Sequence, residues 1–219
     1  MFGSHLQGMP IIAENGTYVV RDGVDISSST IDPNLTREVI TGVRQLRNDG
    51  HDVGLVVATK SIAYLERGDD PFVSHVATYY HSHRIVKDLS EHTDDVIKLS
   101  IYDFREASEA TYPTMQRTAP EHQVILATPN WVDIMNPGVN KGSAVEAVQR
   151  DLGVTADQTA IFGDFLNDLE MMPMAKWSFA MANGHPNIVK ASNYVAPPNT
   201  ENGVITVLAA LLGTRVPIT

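Results

Sequence analysis

The sequence predicts an α/β fold built around a parallel sheet. A short apolar run at residues 159–162 (TAIF) stops at Gly163, as expected of a strand covered on both faces that ends in a turn. Upstream, Ala144, Val145, Val148 and Leu152 recur at helical spacing, and Gly153 is a natural helix end. A helix that leads directly into a buried strand is typical of α/β proteins.

The first half of the chain contains further elements. Residues 17–20 are predicted to form a strand that enters a hairpin turn at Asp22-Gly23. Apolar spacing over residues 35–46 predicts a helix, and the run at 53–58 predicts a strand. Residues 97–102 alternate apolar and polar side chains, which predicts a half-buried strand.

The second half adds a hairpin and a short helix. Residues 124–127 and 131–134 are predicted to pair as a hairpin around Thr128-Pro129-Asn130. Residues 166–172 are predicted to form a short helix that ends near Pro173.

Polar side chains with metal- and phosphate-binding chemistry follow the strand at 159–162. Asp164 comes directly after it, and Asn167 and Asp168 follow on the next turn. Ligands of open α/β sheets bind outside the carboxyl ends of strands, and Mg²⁺ takes one or two protein carboxylates besides phosphate and water. Lys141 adds a positive charge at a helix start, where backbone N–H groups already favour an anion. A solvated lysine and a turn aspartate are the alternative, but their order and spacing favour a magnesium and phosphate site.

Composition limits the classes of function. The 219 residues carry a net charge of -10 and no cysteine. The negative charge argues against nucleic acid or an anionic membrane as partner, and the lack of cysteine excludes disulfides and thiol catalysis. Because the sequence shows no long apolar run and no signal peptide, we expect a cytoplasmic protein.

The histidine pair His81-x-His83 is a second candidate ligand site. Two histidines at this spacing do not share a helix face, so they fit a metal poorly. Solvated histidines in a helix or loop are the favoured interpretation.

Several segments together resemble one family. The fourth-motif pattern GDxxNDxxM at 163–171, with Lys141-Gly142 upstream, is similar to that of the haloacid dehalogenase superfamily. PIIAENG at 10–16, AMANG at 180–184 and NxxxGV at 199–204 resemble segments of its Cof-type, sugar-phosphatase-like branch. The fourth motif with its lysine is specific, whereas the other segments support it only through their order.

The resemblance implies a domain organisation. Residues 1–32 and 138–219 would form a Rossmann-like core, and residues 33–137 an inserted α/β cap. Caps of this kind exclude water and select the leaving group. The core's parallel sheet is expected to be incomplete, because its first strands are missing from the sequence.

The resemblance also implies a mechanism and residue roles. An aspartate would attack phosphorus to form an aspartyl-phosphate while a second aspartate protonates the departing oxygen, and magnesium would neutralise the charge. Asp164 would be the metal ligand and Lys141 the clamp on the phosphoryl oxygens. Asn167 and Asp168 would support the phosphate and the geometry of the site, with Asn15 and Asn183 at its rim as substrate-binding residues.

The motif that supplies the nucleophile, Asp-x-Asp-Gly-Thr, does not occur in the sequence. We therefore expect Met1 to be an internal methionine of a longer protein. We expect these residues to be inactive alone and either marginally folded or homo-oligomeric. Two functions remain open. One is a magnesium-dependent phosphatase of small phosphorylated metabolites such as sugar phosphates, and the other is a non-catalytic remnant that binds phosphate compounds or acts as an interaction partner.

Overall fold

The computed structural model describes residues 7–213, which divide into two compact units. The first unit comprises residues 7–27 and 140–213, and the second comprises residues 28–139.

The described residues form twelve strands and six α-helices. The strands are β1 (Ile11–Ala13), β2 (Tyr18–Arg21), β3 (Val24–Ser28), β4 (Val53–Thr59), β5 (Ala63–Leu65), β6 (His83–Ile85), β7 (Val96–Asp103), β8 (Gln123–Leu126), β9 (Trp131–Met135), β10 (Ala160–Gly163), β11 (Trp177–Met181) and β12 (Tyr194–Ala196). The helices are α1 (Pro33–Asn48), α2 (Asp70–Tyr79), α3 (Thr111–Thr118), α4 (Lys141–Leu152), α5 (Pro186–Ala191) and α6 (Gly203–Leu211).

A parallel three-stranded sheet in the order β10-β11-β12 organises the first unit. Ile161 and Ala180 lie on one face and are buried with Val145 of α4 and Ile188 of α5. The opposite face carries stacked aromatic rings, such as Phe162 on Phe179, and packs against α6. The predicted parallel strand and the helix before it are therefore confirmed.

A second sheet of the first unit is antiparallel and has the order β1-β2-β3. Asp22 and Gly23 both have positive φ, which confirms the predicted hairpin turn. The PIIAENG segment forms β1 followed by a 3₁₀ turn at Glu14–Gly16, and β1 pairs with β2 instead of joining the parallel sheet.

The second unit contains a six-stranded sheet in the order β6-β5-β4-β7-β9-β8. Helices α1 and α3 pack on one face, and α2 packs on the other through Phe72 and Val76. The predicted helix at 35–46, the strand at 53–58 and the β8–β9 hairpin are confirmed. The half-buried prediction for residues 97–102 is wrong, because β7 is central in the sheet and every one of its residues is buried.

The polar residues of β7 are buried with partners. The Ser100 hydroxyl donates to Asp133 Oδ1 over 2.6 Å, and Lys98 Nζ lies 3.6 Å from Asp133 Oδ2. The alternating sequence of β7 therefore reflects a buried polar network instead of a solvated face.

Two other expectations concern ligands and membranes. His81 lies in the bend after α2 and His83 in β6, where the His83 ring contacts the Tyr80 carbonyl at 2.8 Å. Within residues 7–213, no cluster of three or more acidic, histidine or cysteine side chains is arranged to bind a metal. No helix in the same residues has the length and apolarity needed to cross a membrane.

Candidate functional site

The chain turns sharply after β10, and Asp168 holds this turn. One oxygen of its carboxylate, Oδ2, accepts the backbone N–H groups of Asp164 at 2.9 Å and Phe165 at 3.3 Å. A Cβ at Gly163 would lie 2.9 Å from Asp168 Cβ, so only glycine allows this close approach. The turn therefore depends on both residues.

The predicted helix at 166–172 is not formed. Two 3₁₀ turns, Leu166–Asp168 and Met172–Met174, occupy this region. Asp168 uses its carboxylate for local backbone bonds, which compete with helix formation, and Pro173 lacks the N–H that a longer helix needs. As a result, Asp168 is buried, whereas Asn167 and Asp164 are exposed.

Lys141 is paired with the second oxygen of the same carboxylate. Its Nζ lies 2.5 Å from Asp168 Oδ1, with side chains 29% and 6% exposed. Lys141 starts α4, where the Asn140 side chain accepts the N–H of Ser143 at 2.9 Å and caps the helix. Asp168 thus connects the start of α4 with the turn that carries Asp164.

Gly142 allows α4 to approach the same turn closely. A Cβ at this position would lie 2.3 Å from the carbonyl oxygen of Glu170. The absence of a side chain therefore sets the distance between the helix start, with Lys141, and the segment that follows Asp168.

Asp164 carries the carboxylate that remains available at this site. Its side chain forms no hydrogen bond or ion pair with another residue in the part of the chain that the structure describes. Asp164, Lys141 and Asp168 line an open cleft of about 440 Å³ together with apolar side chains of the parallel sheet. The carboxylate oxygens of the exposed Asp164 are hard donors that fit Mg²⁺, which commonly takes one protein carboxylate with water and phosphate.

Asn15 and Asn167 also meet in the first unit. Asn167 Nδ2 donates to Asn15 Oδ1 over 3.3 Å. Asn15 has φ of 57°, a left-handed conformation that asparagine tolerates better than most residues. The two candidate residues are brought together, and each uses part of its amide on the other.

Asn183 lies beyond the end of β11 and is bonded to Asn199. Its Nδ2 donates to Asn199 Oδ1 over 3.0 Å, and its Oδ1 accepts the Asn199 N–H at 3.2 Å. Asn199 lines the cleft with Asp164 and Lys141. Asn199 was not among the residues predicted for the site, because nothing in the residue pattern indicates that the two loops pair.

Comparison with known proteins identifies the family. The model of the family described as haloacid dehalogenase-like hydrolase matches residues 2–208. The chain belongs to this family. This haloacid dehalogenase-like chain is also similar to 5-amino-6-(5-phospho-D-ribitylamino)uracil phosphatase YbjI of Escherichia coli. The two are 28% identical over 212 residues, and the alignment covers 94% of this chain and 75% of the relative.

Solved structures of similar fold agree with the assignment to the haloacid dehalogenase-like family. A haloacid dehalogenase-like hydrolase from Bacteroides thetaiotaomicron superimposes with a TM-score of 0.81 at 20% identity, covering 93% of this chain and 77% of that one. The subclass IIB sugar phosphatase BT4131 superimposes with a TM-score of 0.70 at 19% identity, covering 93% and 75%. At these identities the likeness establishes the fold, a Rossmann-like core with an α/β cap.

Proposed function

We propose that the protein is a magnesium-dependent phosphatase of small phosphorylated metabolites, with its phosphate site in the first unit. The observation that carries the proposal is the Lys141–Asp168 ion pair beside the unpaired Asp164 carboxylate in one cleft. The similarity to YbjI, which is named as a phosphatase of a phosphorylated ribityl compound, supports the same class of substrate.

Lys141, Asp168 and Asp164 have different roles in the proposed binding of the phosphoryl group. Lys141 provides a positive charge and hydrogen-bond donors at the start of α4, where the helix dipole also attracts an anion. Asp168 is a positioning residue, because its two oxygens are used by Lys141 and by the backbone of the turn. Asp164 would hold Mg²⁺. When bound, the ion would neutralise charge on the phosphoryl oxygens.

The three asparagines have supporting parts in this proposal. Asn167 and Asn15 form a bonded pair whose remaining amide groups are available to a substrate. Asn183, by contrast, uses both polar atoms of its side chain on Asn199. We therefore assign Asn183 a supporting place at the rim.

The covalent route requires a nucleophilic aspartate, and these 219 residues contain no Asp-x-Asp-Gly-Thr segment. A second candidate function for these residues by themselves is therefore phosphate binding without turnover. In both cases the first unit would be the core that binds phosphate, and the second unit would be the cap. A cytoplasmic location and the absence of nucleic-acid partners belong to the same proposal.

Calorimetric titration of the 219-residue chain with inorganic phosphate, with and without Mg²⁺, tests the site. We expect binding that depends on Mg²⁺ and that Asp164→Asn weakens at least about tenfold, because the carboxylate that would hold the ion is neutralised. Asp157→Asn is the matched control, since Asp157 is exposed and its carboxylate pairs among residues 7–213 with Lys176 at 3.1 Å. Hydrolysis of an aryl phosphate by the same samples separates turnover from binding alone.

A further inference from the structure

The loops after β11 and β12 place two asparagines next to each other. Asn183 follows the end of β11 and Asn199 follows the end of β12, and these strands are parallel neighbours. The two loops therefore lie at the same edge of the sheet as Asp164, which follows β10. Three consecutive parallel strands each deliver a polar side chain to this edge.

The hydrogen bonds fix the orientation of both amide groups. The backbone N–H of Asn199 can only donate, so the Asn183 atom that it meets at 3.2 Å must be the oxygen. The other Asn183 atom is then the nitrogen, which donates over 3.0 Å to the oxygen of Asn199. Because the oxygen of the Asn199 amide accepts this hydrogen bond, its Nδ2 is the polar atom that is left to bind another group.

The Nδ2 of Asn199 has no acceptor among the described residues, although Asn199 lines the cleft that holds Asp164 and Lys141. An amide nitrogen cannot coordinate a cation, but it donates two hydrogen bonds to anionic or carbonyl oxygens. A donor that lines the same cleft as the Lys141 ammonium group and the Asp164 carboxylate is suited to an oxygen of a phosphorylated ligand.

We propose that Asn199 donates a hydrogen bond to an oxygen of the phosphorylated ligand, and that Asn183 is a positioning residue that fixes the Asn199 side chain. The inference rests on the proposed function of the cleft. It adds a ligand-binding residue from the loop after β12, and it gives Asn183 an indirect part in place of direct contact with substrate.

Asn199→Asp removes the proposed donor and puts a negative charge in its place. The aspartate keeps the oxygen that accepts from Asn183 and keeps its own backbone N–H. Both hydrogen bonds between the two loops are therefore retained. The substitution replaces only the free donor with a charged acceptor, which repels an anion. In calorimetric titrations of the 219-residue chain with inorganic phosphate in Mg²⁺, we expect affinity to fall at least about tenfold. The midpoint of thermal unfolding and the affinity for Mg²⁺ alone should not fall.

Asn183→Ala tests the positioning role. Asn199 then loses its partner but keeps its donor, so we expect a smaller loss of phosphate affinity, about threefold to fivefold. In the Asn183→Ala/Asn199→Asp double variant the loss should equal that of Asn199→Asp alone, because Asn183 acts only through Asn199. Thr200→Ala is the matched control, since Thr200 is exposed in the same turn.

The outcomes separate this inference from the proposed function. If Asp164→Asn abolishes phosphate binding while Asn199→Asp binds phosphate as tightly as the unchanged chain, the proposed phosphate site is supported. The inference about Asn199 then fails. Additive losses in the double variant would contradict the positioning role of Asn183. If the unchanged chain binds no phosphate in the presence of Mg²⁺, the proposed function and this inference both fail.

Discussion

The ammonium nitrogen of Lys141 lies 2.5 Å from Oδ1 of Asp168, and Oδ2 of the same carboxylate accepts the N–H groups of Asp164 and Phe165. A single carboxylate therefore orients both the cation at the start of α4 and the turn that carries Asp164. Because Asp168 is buried, the pair is more sensitive to the loss of one partner than an exposed ion pair would be.

We predict that Asp168→Asn disrupts this arrangement. The amide removes the negative charge beside Lys141 and one acceptor of the buried network. We expect the free energy of unfolding to fall by about 1–3 kcal/mol and phosphate affinity to fall about tenfold. Urea unfolding and calorimetric titration measure the two effects, with Asp157→Asn as the exposed control. Unchanged stability and affinity would show that the carboxylate does not organise the site.

We predict that Gly142→Ala separates α4 from the turn. Alanine normally favours a helix, but its Cβ would lie 2.3 Å from the Glu170 carbonyl oxygen, so the two segments must move apart. We expect a loss of about 1–3 kcal/mol in unfolding free energy, together with weaker phosphate binding. Glu146→Ala, at an exposed position of the same helix, should change neither property. A stabilised Gly142→Ala protein would contradict the close approach.

We predict that acid weakens the second unit. Hydrogen bonds from Ser90 and Arg44 lower the pKa of Asp88, and Arg67 lowers the pKa of Asp69. A depressed pKa in the folded state means that the ionised carboxylates stabilise the fold at pH values above the ordinary value of 3.8. This contribution declines as the pH falls below 3.8 and is fully lost only below the lower pKa values of the folded state.

Urea unfolding at pH 7, 5 and 3 at constant ionic strength measures this acid effect. Asp88→Asn cannot titrate at that position, so its stability should fall less between pH 5 and pH 3 than that of the unchanged protein. An equal fall in both proteins would show that Asp88 does not contribute.

We predict that the 219-residue chain self-associates through α6. This helix is almost entirely apolar, and Ile205 and Leu211 are 52% and 44% exposed. Exposed apolar patches of this kind mark interaction surfaces. Light scattering over a range of concentrations should give a mass above one chain, and Ile205→Lys should lower it. Leu152→Lys, at an exposed apolar position of α4, is the control.

The elements that the sequence predicted well are those decided by local periodicity. The helix at 35–46 has its apolar residues on one face and an Asp32 cap, and the strand at 53–58 is a continuous apolar run. The grouping of Lys141, Asp164 and Asp168 was also predictable, since helix starts and strand ends meet at one edge of a parallel sheet.

The elements that the sequence did not predict depend on contacts between distant residues. β7 looked half-buried because Lys98 and Ser100 are polar, yet both find a partner in Asp133 on the neighbouring strand. The residues after Asp164 looked helical because their local propensity does not include the bonds of the Asp168 carboxylate to the preceding backbone. The Asn183–Asn199 pair likewise joins two loops whose proximity only the fold decides.

The most direct test of the account is the Mg²⁺ dependence of phosphate binding by the unchanged chain and by Asp164→Asn. We predict that the unchanged chain binds inorganic phosphate more tightly when Mg²⁺ is present, and that Asp164→Asn loses this dependence while its thermal unfolding stays the same. Phosphate binding that is equally tight in both proteins, with or without Mg²⁺, would contradict the assignment of Asp164 as the metal ligand of this cleft.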